Sequence, residues 1–132
     1  MKGRTGLIDM GDRWLLPFKG MQVTQLLVSY QLGLRLDVDQ AYIDIEQTAM
    51  LKSDAPQSTV RLVPERQEVG AALALFCATI TSSEVFKSGT LQVSFDTGIH
   101  LSVEPHGGYE AWSVEGPGTL RIICMPDGPA IL

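Results

Sequence analysis

The chain has the segment LGLRLDVDQAYIDIE at residues 32–46 and the segment LQVSFDTGIHLSVE at residues 91–104. In both segments apolar residues alternate with polar ones up to an Asp, a short turn follows, and the alternation resumes and ends in Glu. Such alternation places apolar side chains on one face of a β-sheet and polar side chains on the other. Each segment therefore predicts a β-hairpin, and the first hairpin has one extra residue in its turn.

The residues around these hairpins predict a mainly β (α+β) fold that forms a single domain over residues 1–132. An N-terminal arm is expected at 1–19, a first β-meander at 20–63, and a second meander with the C-terminal strands at 78–132. The short turns favour antiparallel pairing. Because the meanders are duplicated, we expect a pseudo-twofold arrangement, packed either as an antiparallel sandwich or as one strongly curved sheet.

Residues 64–77, between the meanders, predict the only helix, at about 65–77. Pro64 suits the first helical position, and the carboxylates of Glu65 and Glu68 complement the positive end of the helix dipole. The apolar residues that follow at helical spacing are Val69, Ala72, Leu73 and Phe76. This helix is expected either to cover an open edge or end of the sheets or to lie across one face.

The two cysteines lie in apolar runs, so both thiols are expected to be buried and to behave as small hydrophobic groups. Two buried free thiols are typical of a reducing cytoplasm, and we expect a cytoplasmic protein. A disulfide between Cys77 and Cys124 stays open if their strands are neighbours. With 45% hydrophobic residues, a chain of 132 residues buries a sufficient core without one.

The charge balance of the chain is acidic, with 15 Asp and Glu against 10 Lys and Arg and a net charge of −5. This sign opposes binding to nucleic acid or to anionic lipid, and it favours a basic protein or a cationic ligand. It is also the ordinary charge state of a soluble domain. The longest nearly apolar run, residues 69–80, is too short to span a membrane, and Asp9 and Asp12 interrupt any signal peptide.

No catalytic constellation, cofactor motif or metal site is predicted. His100 and Glu104 lie four residues apart on a strand, a separation of about 13 Å that rules out a shared ion. Only Glu104 and His106 can converge, and two ligands make a weak site. No Gly-x-Ser-x-Gly motif is present, and neither thiol has the cationic surroundings that activate a cysteine.

Acidic residues concentrate in two windows that contain no Lys or Arg, residues 36–51 and residues 88–120. The acids of these windows are Asp37, Asp39, Asp44 and Glu46, then Asp96, Glu104, Glu110 and Glu115. Both hairpins are therefore expected to have acidic outer faces. Alternating carboxylates such as Asp44 and Glu46 can serve a glycosidase, but they are more typical of a solvated sheet face.

Three aromatic residues accompany these acids. Aromatic anchors surrounded by charge of one sign are typical of protein interfaces. The candidate binding residues are Tyr42, Asp44, Glu46, Glu104, Tyr109, Glu110 and Trp112. The alternative for Trp112 is a place in the core, and the alternative for Tyr109 is a hydrogen bond to a loop.

The stretch GTLQVSFDTGIHLSVEPHGGYEAWSVEGPG, residues 89–118, resembles a family of small bacterial domains of unknown function. Members of that family have a similar hairpin, then the Tyr-Glu-Ala-Trp found here at residues 109–112, then Gly-Pro. They end in Gly-x-Leu-Ala-Val-Trp, whereas residues 128–132 are GPAIL, so the last strand is expected to differ. The resemblance implies no reaction. Similar small acidic β-rich proteins also occur as immunity partners of secreted toxins.

The leading hypothesis is a non-enzymatic protein-binding domain, an immunity protein that neutralises a basic toxin through acidic sheet faces. One alternative is a small-molecule-binding β-domain or an enzyme, with a pocket near Tyr109, Glu110 and His106. Another alternative is a structural module that forms homo-oligomers, such as a homodimer.

Overall fold

The computed structural model describes residues 6–38 and 40–132, which form two antiparallel β-sheets. The strands are β1 (Ile8–Asp9), β2 (Arg13–Leu15), β3 (Val23–Val28), β4 (Leu32–Leu36), β5 (Tyr42–Ile45), β6 (Ala49–Asp54), β7 (Gln57–Leu62), β8 (Ile80–Phe86), β9 (Leu91–Phe95), β10 (Ile99–Val103), β11 (Trp112–Glu115), β12 (Arg121–Met125) and β13 (Gly128–Ile131). Two short 3-10 helices, η1 (Pro64–Arg66) and η2 (Gly70–Leu75), lie between β7 and β8.

The mainly β architecture is confirmed. A seven-stranded sheet has the order β1-β2-β8-β9-β10-β6-β7, and a six-stranded sheet has the order β13-β12-β11-β5-β4-β3. The two predicted hairpins are β4–β5 and β9–β10, one in each sheet. Buried apolar residues of both sheets form one core cluster. The duplicated meanders therefore form two sheets rather than one curved sheet.

The strand that follows each three-stranded meander belongs to the opposite sheet. After β3-β4-β5 the chain crosses over, and β6 pairs with β10; after β8-β9-β10 it crosses back, and β11 pairs with β5. The order β3-β4-β5-β11-β12 in one sheet thus repeats as β8-β9-β10-β6-β7 in the other. The duplication extends well beyond the hairpins to five strands on each side.

The two copies meet where Gln22 and Thr79 form an antiparallel bridge. The Gln22 amide donates to Oδ1 of Asp37 at 3.0 Å, and the Asp37 amide donates back to the Gln22 carbonyl at 2.9 Å. Thr79 and Asp96 exchange the same two bonds at 3.1 and 2.9 Å. These two acids of the sequence windows therefore cap backbone groups at equivalent positions, whereas Asp39 lies outside the described residues.

The prediction of one helix at about 65–77 is wrong. Gln67 adopts a left-handed conformation (φ 57°) that ends η1, and Val63 and Glu68 then form a bridge that turns the chain back. The apolar spacing does not define one buried face either, because Leu73 is 71% exposed and Phe76 is 54% exposed. A propensity for helix is a weak determinant where tertiary contacts close the loop differently.

The two ends of the same segment contact β3. Nε2 of Gln67 donates to the Ser29 carbonyl at 2.8 Å, and the Cys77 amide donates to the Val23 carbonyl at 2.9 Å. These two contacts hold residues 67–77 beside the first and last parts of β3, the edge strand of the six-stranded sheet. Between these two contacts, η2 packs against β7 of the seven-stranded sheet.

Cys77 is exposed, which corrects the expectation that both thiols are buried. It adopts a left-handed conformation (φ 68°) at the position equivalent to Gly20 (φ 90°) in the other copy. The amide of each donates to the strand that begins the other meander, Cys77 to Val23 and Gly20 to Ile80. This turn directs the Cys77 side chain outward. Cys124 is buried, burial raises its thiol pKa, and both thiols are free.

Candidate functional site

The two connections that cross between the sheets lie together. Residues 46–48 lead from β5 to β6, residues 104–111 lead from β10 to β11, and the amides of Glu46 and Gln47 both donate to the Ala111 carbonyl, at 2.9 and 3.1 Å. Four of the predicted binding residues are exposed on these connections. These four residues are Glu46, Glu104, Tyr109 and Glu110, and we call them the crossover surface.

Tyr109 is the aromatic residue of the crossover surface, with 44% of it exposed. Its ring stacks on the imidazole of His106 with centroids 3.9 Å apart, and its hydroxyl donates to Oε1 of Gln47 at 3.2 Å. Nδ1 of His106 accepts a bond from the Gly108 amide at 2.9 Å. These contacts fix the orientation of Tyr109 while one side of its ring stays open to solvent.

Two carboxylates of the crossover surface, Glu46 and Glu110, repel each other. The pKa of Glu46 is raised, first by burial, then by the charge of Glu110, and then by that of Asp44. Within residues 6–38 and 40–132, no Lys, Arg or His lies within ion-pair distance of Glu46, Glu104 or Glu110. The three carboxylates of the crossover surface therefore have no ion-pair partner among the described residues, and they lie on the same connections as the Tyr109 ring.

Replacing Glu110 by Gln is expected to lower the pKa of Glu46 toward its ordinary value, because one repelling charge is lost while burial remains. A raised carboxyl pKa means that the folded state binds the proton more tightly. The associated stability is present below the ordinary pKa and is lost as the pH rises through the folded-state pKa. Glu110→Gln should reduce that loss, as measured by carbon NMR titration of Glu46 and by melting temperature against pH.

The matched control for this titration is Glu65→Gln, which removes an exposed carboxylate from η1. It is expected to leave the titration of Glu46 unchanged, since its charge is not among the causes of the shift. A Glu46 titration that Glu110→Gln does not move would contradict the assigned repulsion.

Tyr42 and Asp44 belong to a different environment, the outer face of the six-stranded sheet. The Arg35 guanidinium lies over the Tyr42 ring, 4.8 Å from its centroid, and Nη1 of Arg35 lies 3.1 Å from Oδ1 of Asp44. The Tyr42 hydroxyl donates to Oε2 of Glu115 at 2.8 Å, and Nε of Arg121 lies 3.9 Å from the same oxygen. Burial, followed by Glu115, raises the pKa of Tyr42.

The acidic outer face expected for the first hairpin is therefore balanced by cations. Arg35 immediately precedes the window of residues 36–51, and Arg121 immediately follows the window of residues 88–120. Both cations therefore lie just outside the two acidic windows of the sequence. Strand pairing places both of them beside those acids. Tyr42 and Asp44 are thus engaged within the protein.

Trp112 is fully buried, and its Nε1 donates to the Gly89 carbonyl at 2.9 Å. The core placement left open for this residue is the one observed. A side chain with no exposed surface cannot contact a partner, so Trp112 supports the crossover connection from below rather than forming part of its surface.

A cluster that the sequence did not predict lies on the outer face of the seven-stranded sheet. Oγ of Ser94 is 2.8 Å from Nδ1 of His100, and Nε2 of His100 is 3.0 Å from Oδ2 of Asp54. The tight turn at residues 96–98 indicates one of these two contacts, because that turn places Ser94 opposite His100. Asp54 arrives from β6 of the other meander, which no local pattern indicates.

Two neighbouring depressions occupy the same face. A depression of about 180 Å³ contains the Ser94 and His100 side chains, and it adjoins one of about 690 Å³. The smaller is lined by Lys52, Gln92, Val93, Ser94, His100, Leu101 and Ser102. The larger is lined by Gln47, Thr48, Met50, Lys52, Arg61, Thr90, Gln92, Ser102 and Glu104. Both depressions are open to solvent; the larger one is mainly polar, whereas the smaller one has a mixed lining with slightly more apolar surface.

Neither a metal site nor a membrane-spanning helix is found among the described residues. His, Cys, Asp and Glu side chains do not gather there in groups of three or more that could hold a metal ion. In the same part of the chain, none of the helices has the length and hydrophobicity needed to cross a membrane.

Together the fold and the exposed clusters define a duplicated two-sheet β-domain that exposes three Glu residues and Tyr109 on its crossover connections. A model of a family of unknown function, DUF6188, matches residues 14–131. The chain belongs to this family, in agreement with the expected small domain of unknown function. No curated protein and no solved structure matches the chain.

Proposed function

We propose that the domain binds a basic protein through the crossover surface and acts as an immunity protein toward it. The observation that carries the proposal is the combination of three carboxylates without cationic partners among the described residues and the exposed, fixed ring of Tyr109. Glu110 repels Glu46 in the free domain. Lys or Arg side chains of a partner would relieve that repulsion.

The distribution of charge over the rest of the molecule supports this choice of surface. On the outer face of the six-stranded sheet the acids are already paired with Arg35 and Arg121. Complementary charge mainly accelerates association and fixes orientation, whereas a rigid aromatic side chain supplies affinity through its buried area. The crossover surface offers both within one short stretch of the chain.

The test is affinity capture from the native host with wild type, Glu110→Lys and a control of equal net charge. Glu110→Lys raises the net charge by two at the crossover surface. Thr97→Lys combined with Thr119→Lys raises it by the same amount on exposed turns at the opposite end of the strands. Capture of the partner should be lost with Glu110→Lys and kept with the double variant. By calorimetry, Glu110→Lys should bind the partner at least about tenfold more weakly than wild type does.

Two outcomes would contradict the proposal. One is a partner whose affinity is the same for Glu110→Lys and for wild type. The other is a partner whose binding is insensitive to salt, because exposed charges are screened beyond about 10 Å at 0.1 M ionic strength. The immunity role is tested separately by co-expression, in which wild type but not Glu110→Lys should relieve the toxicity of the captured partner.

A further inference from the structure

We propose that Ser94, His100 and Asp54 form a hydrolytic site for small acyl esters on the outer face of the seven-stranded sheet. The site lies toward the turns that join β6 to β7 and β9 to β10, at the end of the strands away from the crossover connections. The Ser94, His100 and Asp54 side chains are therefore separate from the crossover surface, although Glu104 of that surface lines the adjoining larger depression. The known requirements are a nucleophile, a base within hydrogen-bond distance, and a group that orients the base.

The hydrogen bonds of His100 assign these roles. Oδ2 of Asp54 lies 3.0 Å from Nε2, so the carboxylate holds the proton of the neutral imidazole on that nitrogen. The lone pair of Nδ1 then faces Oγ of Ser94, 2.8 Å away. The serine is the nucleophile, the imidazole is the general base, and Asp54 is a positioning residue. The two ring nitrogens are exchanged relative to the serine proteases, but either nitrogen can accept a proton.

Strand register holds this arrangement in place. Ser94 and His100 lie directly opposite each other in the β9–β10 ladder, and His100 lies directly opposite Lys52 in the β10–β6 ladder. Residues fixed on paired strands keep their geometry better than residues on loops. The three strands come from both halves of the duplicated fold, so the site exists only because β6 crosses to the other sheet.

Lys52 and Gln92 supply the groups that an acyl-transfer site needs besides the nucleophile and base. Both line the same depression of about 180 Å³ as Ser94 and His100. Lys52 is exposed and has no ion pair among the described residues. Its charge can stabilise the oxyanion of a tetrahedral intermediate, with the Gln92 amide as a second donor. The small depression, whose lining includes Val93 and Leu101, favours a short acyl group, and the adjoining larger depression can hold the alcohol portion.

The reaction proceeds in two balanced steps. Oγ of Ser94 attacks the acyl carbon and the ester C–O bond breaks; the serine proton passes through His100 to the departing alkoxide, which leaves as the alcohol. Water then attacks the acyl-serine and gives a proton to His100, which returns it to Oγ as the carboxylic acid departs. No metal, oxidant or cofactor takes part.

The experiment treats the full chain with a fluorophosphonate probe and with p-nitrophenyl acetate, and it locates the modified residue by mass spectrometry. Modification is expected at Ser94. Ser94→Ala and His100→Ala should each lower the rate of ester hydrolysis at least about tenfold, and free imidazole should restore part of it to His100→Ala. Asp54→Glu should retain more activity than Asp54→Ala.

Ser82→Ala is the matched control, because Ser82 is an exposed serine directly opposite Ser94 on β8. It should leave labelling and hydrolysis unchanged. Circular dichroism and thermal melting of each variant separate a loss of chemistry from a loss of folding. Failure to label Ser94, equal labelling of Ser82 and Ser94, or labelling of Ser94 that survives His100→Ala would each overturn the proposal.

Discussion

Trp112→Ala is expected to lower the free energy of unfolding by about 4 kcal/mol. The indole is fully buried in the core, and its Nε1 donates to the Gly89 carbonyl at 2.9 Å. The substitution removes a large apolar area, leaves a cavity, and takes the indole bond away from a buried carbonyl. Urea unfolding followed by circular dichroism measures the change, because the loss of a tryptophan complicates fluorescence.

The other tryptophan provides the comparison. Trp14 lies on β2, is only partly buried, and has the Lys87 ammonium 5.0 Å from its ring. Trp14→Ala should therefore cost about 1 kcal/mol, much less than the core substitution. Trp112→Phe keeps an aromatic ring but lacks the N–H donor. Its loss of unfolding free energy should lie between those of Trp14→Ala and Trp112→Ala. Equal costs for Trp14→Ala and Trp112→Ala would show that Trp112 does not hold the core.

The parts of the fold that the sequence predicts are those fixed by neighbours along the chain. Alternation and a tight turn determine each hairpin locally, because a shift of one residue would expose the whole apolar face. The exchange of β6 and β11 between the sheets depends on contacts between distant segments. No periodicity distinguishes a fourth strand that joins its own sheet from one that joins the other.

The helix expected at 65–77 failed for a related reason. Its apolar spacing and its Pro64 start are genuine helix signals, but Gln67 turns the chain and bonds to the distant Ser29 carbonyl. The segment instead follows the edge of β3. Local propensity contributes less than about 1 kcal/mol per residue, so such contacts can override it.

The exposure of the candidate binding residues follows from the sequence where a residue has no cross-strand partner, and it does not where a residue has one. Glu46 and Glu110 are exposed on connections, and the sequence windows described their charge correctly. Tyr42 and Asp44 face Arg35 on the adjacent strand, a pairing set by register. The Ser94–His100 pair follows from one turn, whereas its link to Asp54 requires the strand exchange.

Gly89→Ala is expected to lower the free energy of unfolding by about 3 kcal/mol, through two separate effects. Gly89 has a φ of +115°, a conformation that costs an L residue roughly 1–3 kcal/mol. An added Cβ would also lie 2.8 and 2.9 Å from Cβ and Cγ of Pro105, whose ring is rigid. Relieving that clash is expected to move the turn at Gly89, whose own carbonyl accepts the Trp112 indole bond, so the destabilisation reaches the core.

Two other glycines separate the effects in the same urea experiment. Gly20 also has a positive φ, +90°, but an added Cβ meets nothing within 4 Å, so Gly20→Ala should show the backbone cost alone, about 1–2 kcal/mol. Gly107 has open space and no positive φ, and Gly107→Ala should be close to neutral. If Gly89→Ala lowers the free energy of unfolding no more than Gly20→Ala does, the Pro105 ring moves aside without an energetic penalty. The second crossover connection, residues 104–111, is then not packed against the Gly89 turn. A clear excess over Gly20→Ala instead shows that the connection carrying Tyr109 and Glu110 is held against the core through Pro105, which is the rigidity that a preformed binding surface requires.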